Sequence, residues 1–429
     1  CRKNYNCRCC ARIHQQPRKI ILKKRVVITG EGSISPLGYN SQSLWESIVK
    51  GKSGIDYISS FDTENFSIKI AGEVKDFDPN NFFEAKEVRK LDRFTMFGLI
   101  AAEQALKNSN YKSSDAGVIL GTGVGGMHTL EEEHQKLIKK GQRGVSPFYV
   151  PKMIPNIAGG QIAIKHNLHG LNFSMSTACS SATDAIGMAY RLISNGYSKA
   201  ILCGGAEGSI TPLTLSGFAN MKALSKNNEN PQGASRPFDK DRDGFILSEG
   251  AGMLMLEDYD EAKKRDANII GEIIGYGITN DAFHITQPDN ESTGASNAIT
   301  MALNDAEIDT SEVGYINAHG TSTYFNDMLE TQAIKKVFGK DAKNVSISST
   351  KSMTGHLLGA AGAIEAITCL NALNNGIIPP TINYNNHDPE CDLDYTPNKL
   401  FKKDINISMS NSFGFGGHNS VVIFKKFSS

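Results

Sequence analysis

Three short stretches carry residue types able to do covalent chemistry. The first is Ser176-Thr177-Ala178-Cys179-Ser180-Ser181-Ala182. It follows Leu171 to Met175, which alternates apolar and polar residues as a strand end does, and it precedes Ala185, Ile186, Ala189 and Ile193 at helical spacing. The reading is strand, tight small-residue turn, Cys179, helix. A thiol so placed meets the unpaired N–H groups and dipole of a helix N-terminus, which favour the nucleophilic thiolate. On these residues alone the alternative stays open, that Cys179 is a small buried hydrophobe. The other two stretches are strand-to-turn segments that each carry a histidine. Val313 to Ala318 leads to His319, Gly320, Thr321, Ser322 and Thr323; Val345 to Thr350 leads to Lys351 and, five residues on, His356.

The elements around these turns argue for a repeated unit. Val345 to Ser349 as a strand, the turn at Gly355 and the small-residue helix Gly359 to Leu373 mirror the Cys179 unit. Strands alternating with helices in two such halves predict a layered α/β fold with mostly parallel sheets. Active-site turns at strand C-termini from both halves then converge. At 429 residues the chain exceeds what one hydrophobic core usually serves. The expected organisation is an arm at 1–23, a half bearing the nucleophile at 24–267 and a half bearing the two histidines at 268–429. The apolar strand Ala116 to Thr122 ends in Gly123-Val124-Gly125-Gly126, which lacks both dinucleotide spacing and a Walker lysine and reads as close backbone packing. Lys199 to Gly205 is another buried strand, so Cys203 is expected in the core. Ser41 is expected to cap a helix through Ile48. From Phe83 a long helix is predicted, with Lys86, Arg89, Lys90 and Arg93 at i, i+3, i+4 and i+7 on one basic face. Arg143, near Lys139 and Lys140, offers a second basic cluster; Phe218 and Lys222 are placed on one short helix.

Composition narrows the classes. A hydrophobic fraction of 40% with 8% aromatics is ordinary for a globular protein. No run of about 18 apolar residues exists to span a membrane. Cys1, Cys7, Cys9 and Cys10 crowd the N-terminus, while Cys179, Cys203, Cys369 and Cys391 are widely spaced. That spacing gives neither a zinc pattern nor a disulfide scaffold, and it fits a reducing compartment. The formal charge of zero hides an asymmetry: residues 1–24 hold eight basic residues and no acid, leaving 37 basic against 45 acidic residues. A basic, acid-free arm resembles the remnant of an organelle targeting sequence; a nucleic-acid-binding tail is the alternative.

Four motifs in order, the Cys179, His319 and Lys351–His356 stretches and the loop Asn411-Ser412-Phe413-Gly414-Phe415-Gly416-Gly417, resemble the β-ketoacyl-[acyl-carrier-protein] synthases, type I/II, of the thiolase superfamily. The resemblance spans roughly residues 24 to 427. It implies a layered α-β-α-β-α fold of two duplicated halves with five-stranded sheets. It also implies decarboxylative Claisen condensation of an acyl thioester with malonyl-carrier in fatty-acid elongation, with no cofactor and no metal. Cys179 would carry the acyl group, His319 and His356 would donate to the malonyl enolate, and the backbone N–H groups of Cys179 and Phe415 would hold the tetrahedral oxyanion. Lys351 and Glu365 would form a buried structural ion pair, with Asp327 and Glu330 behind the histidines. Val124 would line the acyl pocket with Phe218; Thr321 and Thr323 would contact pantetheine. Phe413 and Phe415 would frame a movable gate, and Gly414 between them suggests a backbone conformation that other residues resist. The partner implied is a small acidic acyl carrier protein, met by Lys86, Arg89, Lys90, Arg143 and Lys222. A homodimer is expected, with Tyr149 at the partner's pocket, and no nucleic acid. Residence in a plastid-type organelle is the expectation, with the mitochondrion as alternative. Tyr324 and His418 depart from the Pro and Thr frequent in the family.

The residues discriminate against neighbouring functions. A biosynthetic thiolase needs a second cysteine in a Cys-x-Gly turn, and Cys391-Asp392-Leu393 does not provide it. A priming synthase has Asn where His356 stands, and a chain-length factor lacks the nucleophile. A non-catalytic carrier-binding scaffold would keep a basic surface without needing all three catalytic groups.

Overall fold

The computed structural model describes residues 23–428, so the arm at 1–22 with its four cysteines lies outside the described residues. Ten strands form the main sheet: β1 Val26–Ile34, β2 Gly117–Gly121, β3 Asn172–Met175, β4 Ala200–Glu207, β5 Gly250–Asp258, β6 Gly271–Asn280, β7 Tyr315–Asn317, β8 Ser346–Ser348, β9 Ile407–Gly414 and β10 His418–Lys425. Their spatial order is β3-β2-β4-β5-β1-β6-β10-β9-β7-β8. Read inward from either end, the order within each half is third, second, fourth, fifth, first. One five-stranded topology is therefore used twice, and the halves join where β1 meets β6 through Val26–Ile273, Val27–Glu272 and Ile28–Gly271. Residue 267 falls between the short helix Tyr259–Lys264 and β6.

The sheet is mixed rather than mostly parallel. In each half the β2–β3, β2–β4 and the equivalent β7–β8, β7–β9 pairings are parallel. The β4–β5, β1–β5, β9–β10 and β6–β10 pairings are antiparallel. The reason is plain at β9–β10: a hairpin turn at Gly416 and Gly417, both with positive φ, joins them, and a hairpin can pair its strands only antiparallel.

Four helices complete the layers: α1 Arg93–Ser109, α2 Ser181–Ser194, α3 Thr293–Ala306 and α4 Ala361–Asn375. The apolar faces of α2 (Ala185, Ile186, Ala189, Ile193) and α4 (Ile364, Ile367, Leu370) share one core with Ile201 and Leu254 of the first half and Val422 and Phe424 of the second. They form the central layer. Phe94, Phe97 and Ala101 of α1 pack with Val118, Leu202 and Met253 on the far side of the first half. Ala298, Ile299 and Ala302 of α3 do the same against Ile316, Met409 and Val421 of the second. Because side chains alternate across a strand, Ile201 faces α2 while Leu202 faces α1. Truncating a buried aliphatic such as Ile186 to Ala costs on the order of 2–5 kcal/mol in such a core. No helix among the described residues is long and apolar enough to cross a membrane.

Two local expectations change. The helix predicted from Phe83 is broken into a short piece, Ala85–Val88, a turn at Arg89–Leu91, and α1. Asp92 stops the periodicity: one carboxylate oxygen caps α1 at the Phe94 N–H, and the other accepts from the Thr129 N–H at 2.8 Å and its hydroxyl at 2.6 Å. The helix Ser41–Val49 is capped by Asn40, whose side chain accepts from the Ser43 N–H, rather than by Ser41.

Candidate active site

Cys179 lies in a 3₁₀ turn, Ala178–Ser180, that runs directly into α2. The turn is held tightly. Thr177 and Ser180 hydroxyls donate to the Asp184 carboxylate one turn into α2, and the Tyr276 hydroxyl of β6 donates to its other oxygen at 2.8 Å. Ala178 is thereby kept at φ +52°, a strained value for a residue with Cβ. Thr177, Asp184 and Tyr276 were not foreseen; Asp184, a lone acid in the apolar helix run after Cys179, was the available signal.

His319 follows β7 on a loop whose backbone is gripped by acids. The His319 and Gly320 N–H groups donate to the two oxygens of Glu330 at 2.8 and 2.7 Å, and Asn411 donates to the first. Asp327 accepts from the N–H groups of Thr321 and Phe238, and Arg242 reaches Asp327 and Asp388. Glu330 thus holds the His319 backbone, and Asp327 holds that of Thr321 two residues on. His356 leaves the short helix Lys351–Thr354 through Gly355; its N–H donates to the Ile246 carbonyl, and its ring meets Phe245 edge-on. Lys351 and Glu365, on α4, form a fully buried ion pair.

These elements converge. The Cys179 sulfur and a ring nitrogen each of His319 and His356 lie within 4.8 Å of one another, all buried. The two imidazoles stand at 83° with centroids 5.3 Å apart. Both nitrogens of His356 and Nδ1 of His319 are buried with no protein hydrogen-bond partner. Such a Cys-His-His cluster has metal-ligand chemistry, and all three residues also line a substrate-sized space. That cavity of about 540 Å³ is lined by Val124, Phe218, Lys222, Thr321, Thr323, Phe413, Gly414 and Phe415 together with the three reactive groups.

Profiles described as the N-terminal and C-terminal domains of β-ketoacyl synthase match residues 23–262 and 270–385. The chain belongs to the β-ketoacyl synthase family. It is 48% identical over 410 residues to a 3-oxoacyl-[acyl-carrier-protein] synthase 2 of Synechocystis sp., covering 94% of this chain and 99% of that one. It is 47% identical over 409 residues to the protein of the same description in Staphylococcus aureus, with the same coverage of both. Among solved structures, a β-ketoacyl synthase from Burkholderia phymatum superposes with TM-score 0.88 at 32% identity, covering 94% of this chain and all of that one. A type II polyketide ketosynthase solved in complex with its acyl-carrier protein gives TM-score 0.88 at 33% identity, with the same coverage.

Electrostatics in this β-ketoacyl synthase separate the three groups. Burial and the Lys351 ammonium hold both imidazoles well below the ordinary histidine pKa, so each is neutral with one N–H to donate. The thiol differs from expectation: burial pushes Cys179 up to about 11, against the opposing pull of Lys351 and the Phe415 N–H. Desolvation outweighs the helix N-terminus.

Several predicted residues sit otherwise than expected. Lys86 is ion-paired to Glu84 at 2.7 Å, while Arg89 and Lys90 lie in the following turn with Lys90 over the Phe148 ring. Arg93 turns inward to Glu249. No single helical basic face exists, although Lys86, Arg89, Lys90 and Arg143 are exposed. Lys222 lies beyond the end of helix Pro212–Asn220, at φ +57°, rather than on it with Phe218. Gly414 does not have positive φ; its need is close approach, since a Cβ there would press on the Thr177 carbonyl oxygen and the Cys179 nitrogen. Tyr324 is exposed with its hydroxyl on Glu390, and His418 opens β10.

Proposed function

We propose that the chain is the 3-oxoacyl-[acyl-carrier-protein] synthase of a type II fatty-acid elongation system, condensing acyl-carrier with malonyl-carrier through an acyl-Cys179 intermediate. The observation that carries this reading is the convergence of one thiol and two neutral imidazoles within 4.8 Å at a buried cavity. Cys179 attacks the acyl thioester, its proton leaving with the carrier thiol. In the second half-reaction the malonyl carboxylate departs as CO2, and its electron pair passes to the thioester oxygen. That enolate is met by the N–H groups of His319 and His356. The enolate carbon then attacks the acyl-Cys179 carbonyl. The tetrahedral oxyanion is stabilised by the backbone N–H groups of Cys179 and Phe415, and its collapse expels the thiolate. Lys351, paired to Glu365, keeps the imidazoles neutral and so in the donating form.

The carrier's arm enters past Thr321, Thr323 and Phe413, and its acidic body meets Arg89, Lys90, Arg143 and Lys222. The acyl chain lies along Val124 and Phe218. A homodimer is supported by β3, an edge strand carrying Phe173 at 37% exposure, with Ile164 at 75% exposure on the preceding helix, a surface that a second copy would cover. Tyr149, partly buried, opens the helix Tyr149–Met153 and would reach the partner's pocket. Sedimentation of the wild type and of Phe173→Asp separates dimer from monomer. Residence in a plastid-type organelle rests on the basic, acid-free residues 1–24; tagged full-length chain in a mitochondrion would reverse it.

The test of function is a series of acyl-carriers of increasing length assayed with malonyl-carrier. Formation of 3-oxoacyl-carrier with one CO2 per turnover supports the reading; binding of carrier without product assigns a scaffold instead.

A further inference from the structure

Glu207, the last residue of β4, is fully buried at the meeting point of loops from both halves. One of its carboxylate oxygens accepts from the Gly123 N–H at 2.7 Å and from the Gly359 N–H at 3.0 Å. The other accepts from the Thr122 hydroxyl at 3.3 Å. The segments so joined are the acyl-pocket wall after β2 and the turn three residues beyond His356. They touch: a Cβ on Gly359 would collide with the Gly123 N–H, and one on Gly123 would press on Glu207 itself. One buried N–H from each segment thus converges on a single carboxylate oxygen, which satisfies both donors at once. Burial raises the carboxyl to about 7, and these donors oppose that shift.

We infer that Glu207 is a positioning residue that locks the Val124 wall to the His356 turn, so that chain-length selection and enolate stabilisation share one anchor. The inference rests on the roles given above to Val124 and His356. An amide at this position can keep its oxygen on the Gly123 and Gly359 N–H groups, but it loses the carboxylate's charge and the acceptor that faces the Thr122 hydroxyl, which loosens the lock.

The experiment compares wild type with Glu207→Gln and with Thr122→Val, which removes one donor at nearly constant shape. Rates are expressed per Cys179 titrated with radiolabelled acyl group, so loss of folded enzyme drops out. In Glu207→Gln, CO2 release from malonyl-carrier should fall about tenfold or more, as misplacement by about an ångström does. The preference among acyl lengths should flatten, while the KM for carrier stays near wild type because the docking surface is untouched. Thr122→Val should move both readouts the same way by about threefold, and it carries the test if Glu207→Gln does not fold. Wild-type values of both readouts, or a change in only one of them, overturn the shared anchor. Wild-type CO2 release in His356→Ala overturns the role of His356 instead and leaves the lock to be judged on chain length.

Discussion

Gly414, the last residue of β9, packs directly on the backbone nitrogen of Cys179, so the β9 end is pressed against the nucleophile turn. The contact leaves room for no side chain: a Cβ there would stand 2.9 Å from the Thr177 oxygen and 3.0 Å from the Cys179 nitrogen. Gly414→Val should therefore displace the Phe415 donor and slow acyl transfer to Cys179 more than it weakens carrier binding. Stopped-flow acylation beside a carrier binding isotherm checks this; unchanged acylation contradicts it.

The buried thiol has a pH signature. Its pKa is pushed up to about 11, above the assay range, and the reactive form is the thiolate. Alkylation of Cys179 by iodoacetamide should accordingly rise about tenfold per pH unit from about pH 7 to about pH 10, without a plateau. Neutral imidazoles add no inflection near pH 6.5. Levelling off around neutrality would mean that the helix N-terminus prevails over burial.

Charge reversal at Arg89 and Lys90 should raise the KM for carrier at low salt and leave turnover at saturation nearly intact. Lys86, already paired with Glu84, should contribute less. Steady-state kinetics of Arg89→Glu/Lys90→Glu against Lys86→Glu distinguishes them; equal effects of the two variants contradict the assignment.

The reactive residues were legible because chemistry demands particular types at particular turns. Cys179, His319 and His356 each end a strand-to-turn segment, and the repeated unit around Cys179 and Gly355 is a repeated topology in the fold. What failed depended on tertiary surroundings. Periodicity from Phe83 to Arg93 looks continuous until Asp92 finds Thr129, 37 residues away. The thiol's shift comes from burial that no local spacing encodes. Glu207, two residues past the strand read to Gly205, carries no sequence signal, because its partners, Gly123 and Gly359, are distant glycines whose N–H groups leave no trace in sequence. The mixed pairing escaped because the stretch Asn411–Gly417 reads as a loop with a gate at Phe413 and Phe415, whereas it ends β9 and turns at Gly416–Gly417 into a hairpin.

Val124 is β-branched, small and 40% exposed to the cavity side. Enlarging it to Phe should cut kcat/KM on long acyl-carriers while sparing short ones, through lost volume at the wall. An equal loss at every length places Val124 outside the acyl path.

The division of labour between thiol and imidazoles is tested most directly by separating the half-reactions. In the proposed reaction Cys179 carries the acyl group while His319 and His356 meet the malonyl enolate, which are different charges on different atoms. Cys179→Ala should abolish acyl loading and condensation yet keep CO2 release from malonyl-carrier. His319→Ala and His356→Ala should still load radiolabelled acyl group onto Cys179, while CO2 release falls on the order of 10²–10³-fold. The competing arrangement makes one histidine the base for the thiol, within reach at 4.8 Å or less. Loss of acyl loading in the histidine variants with CO2 release intact would contradict the account.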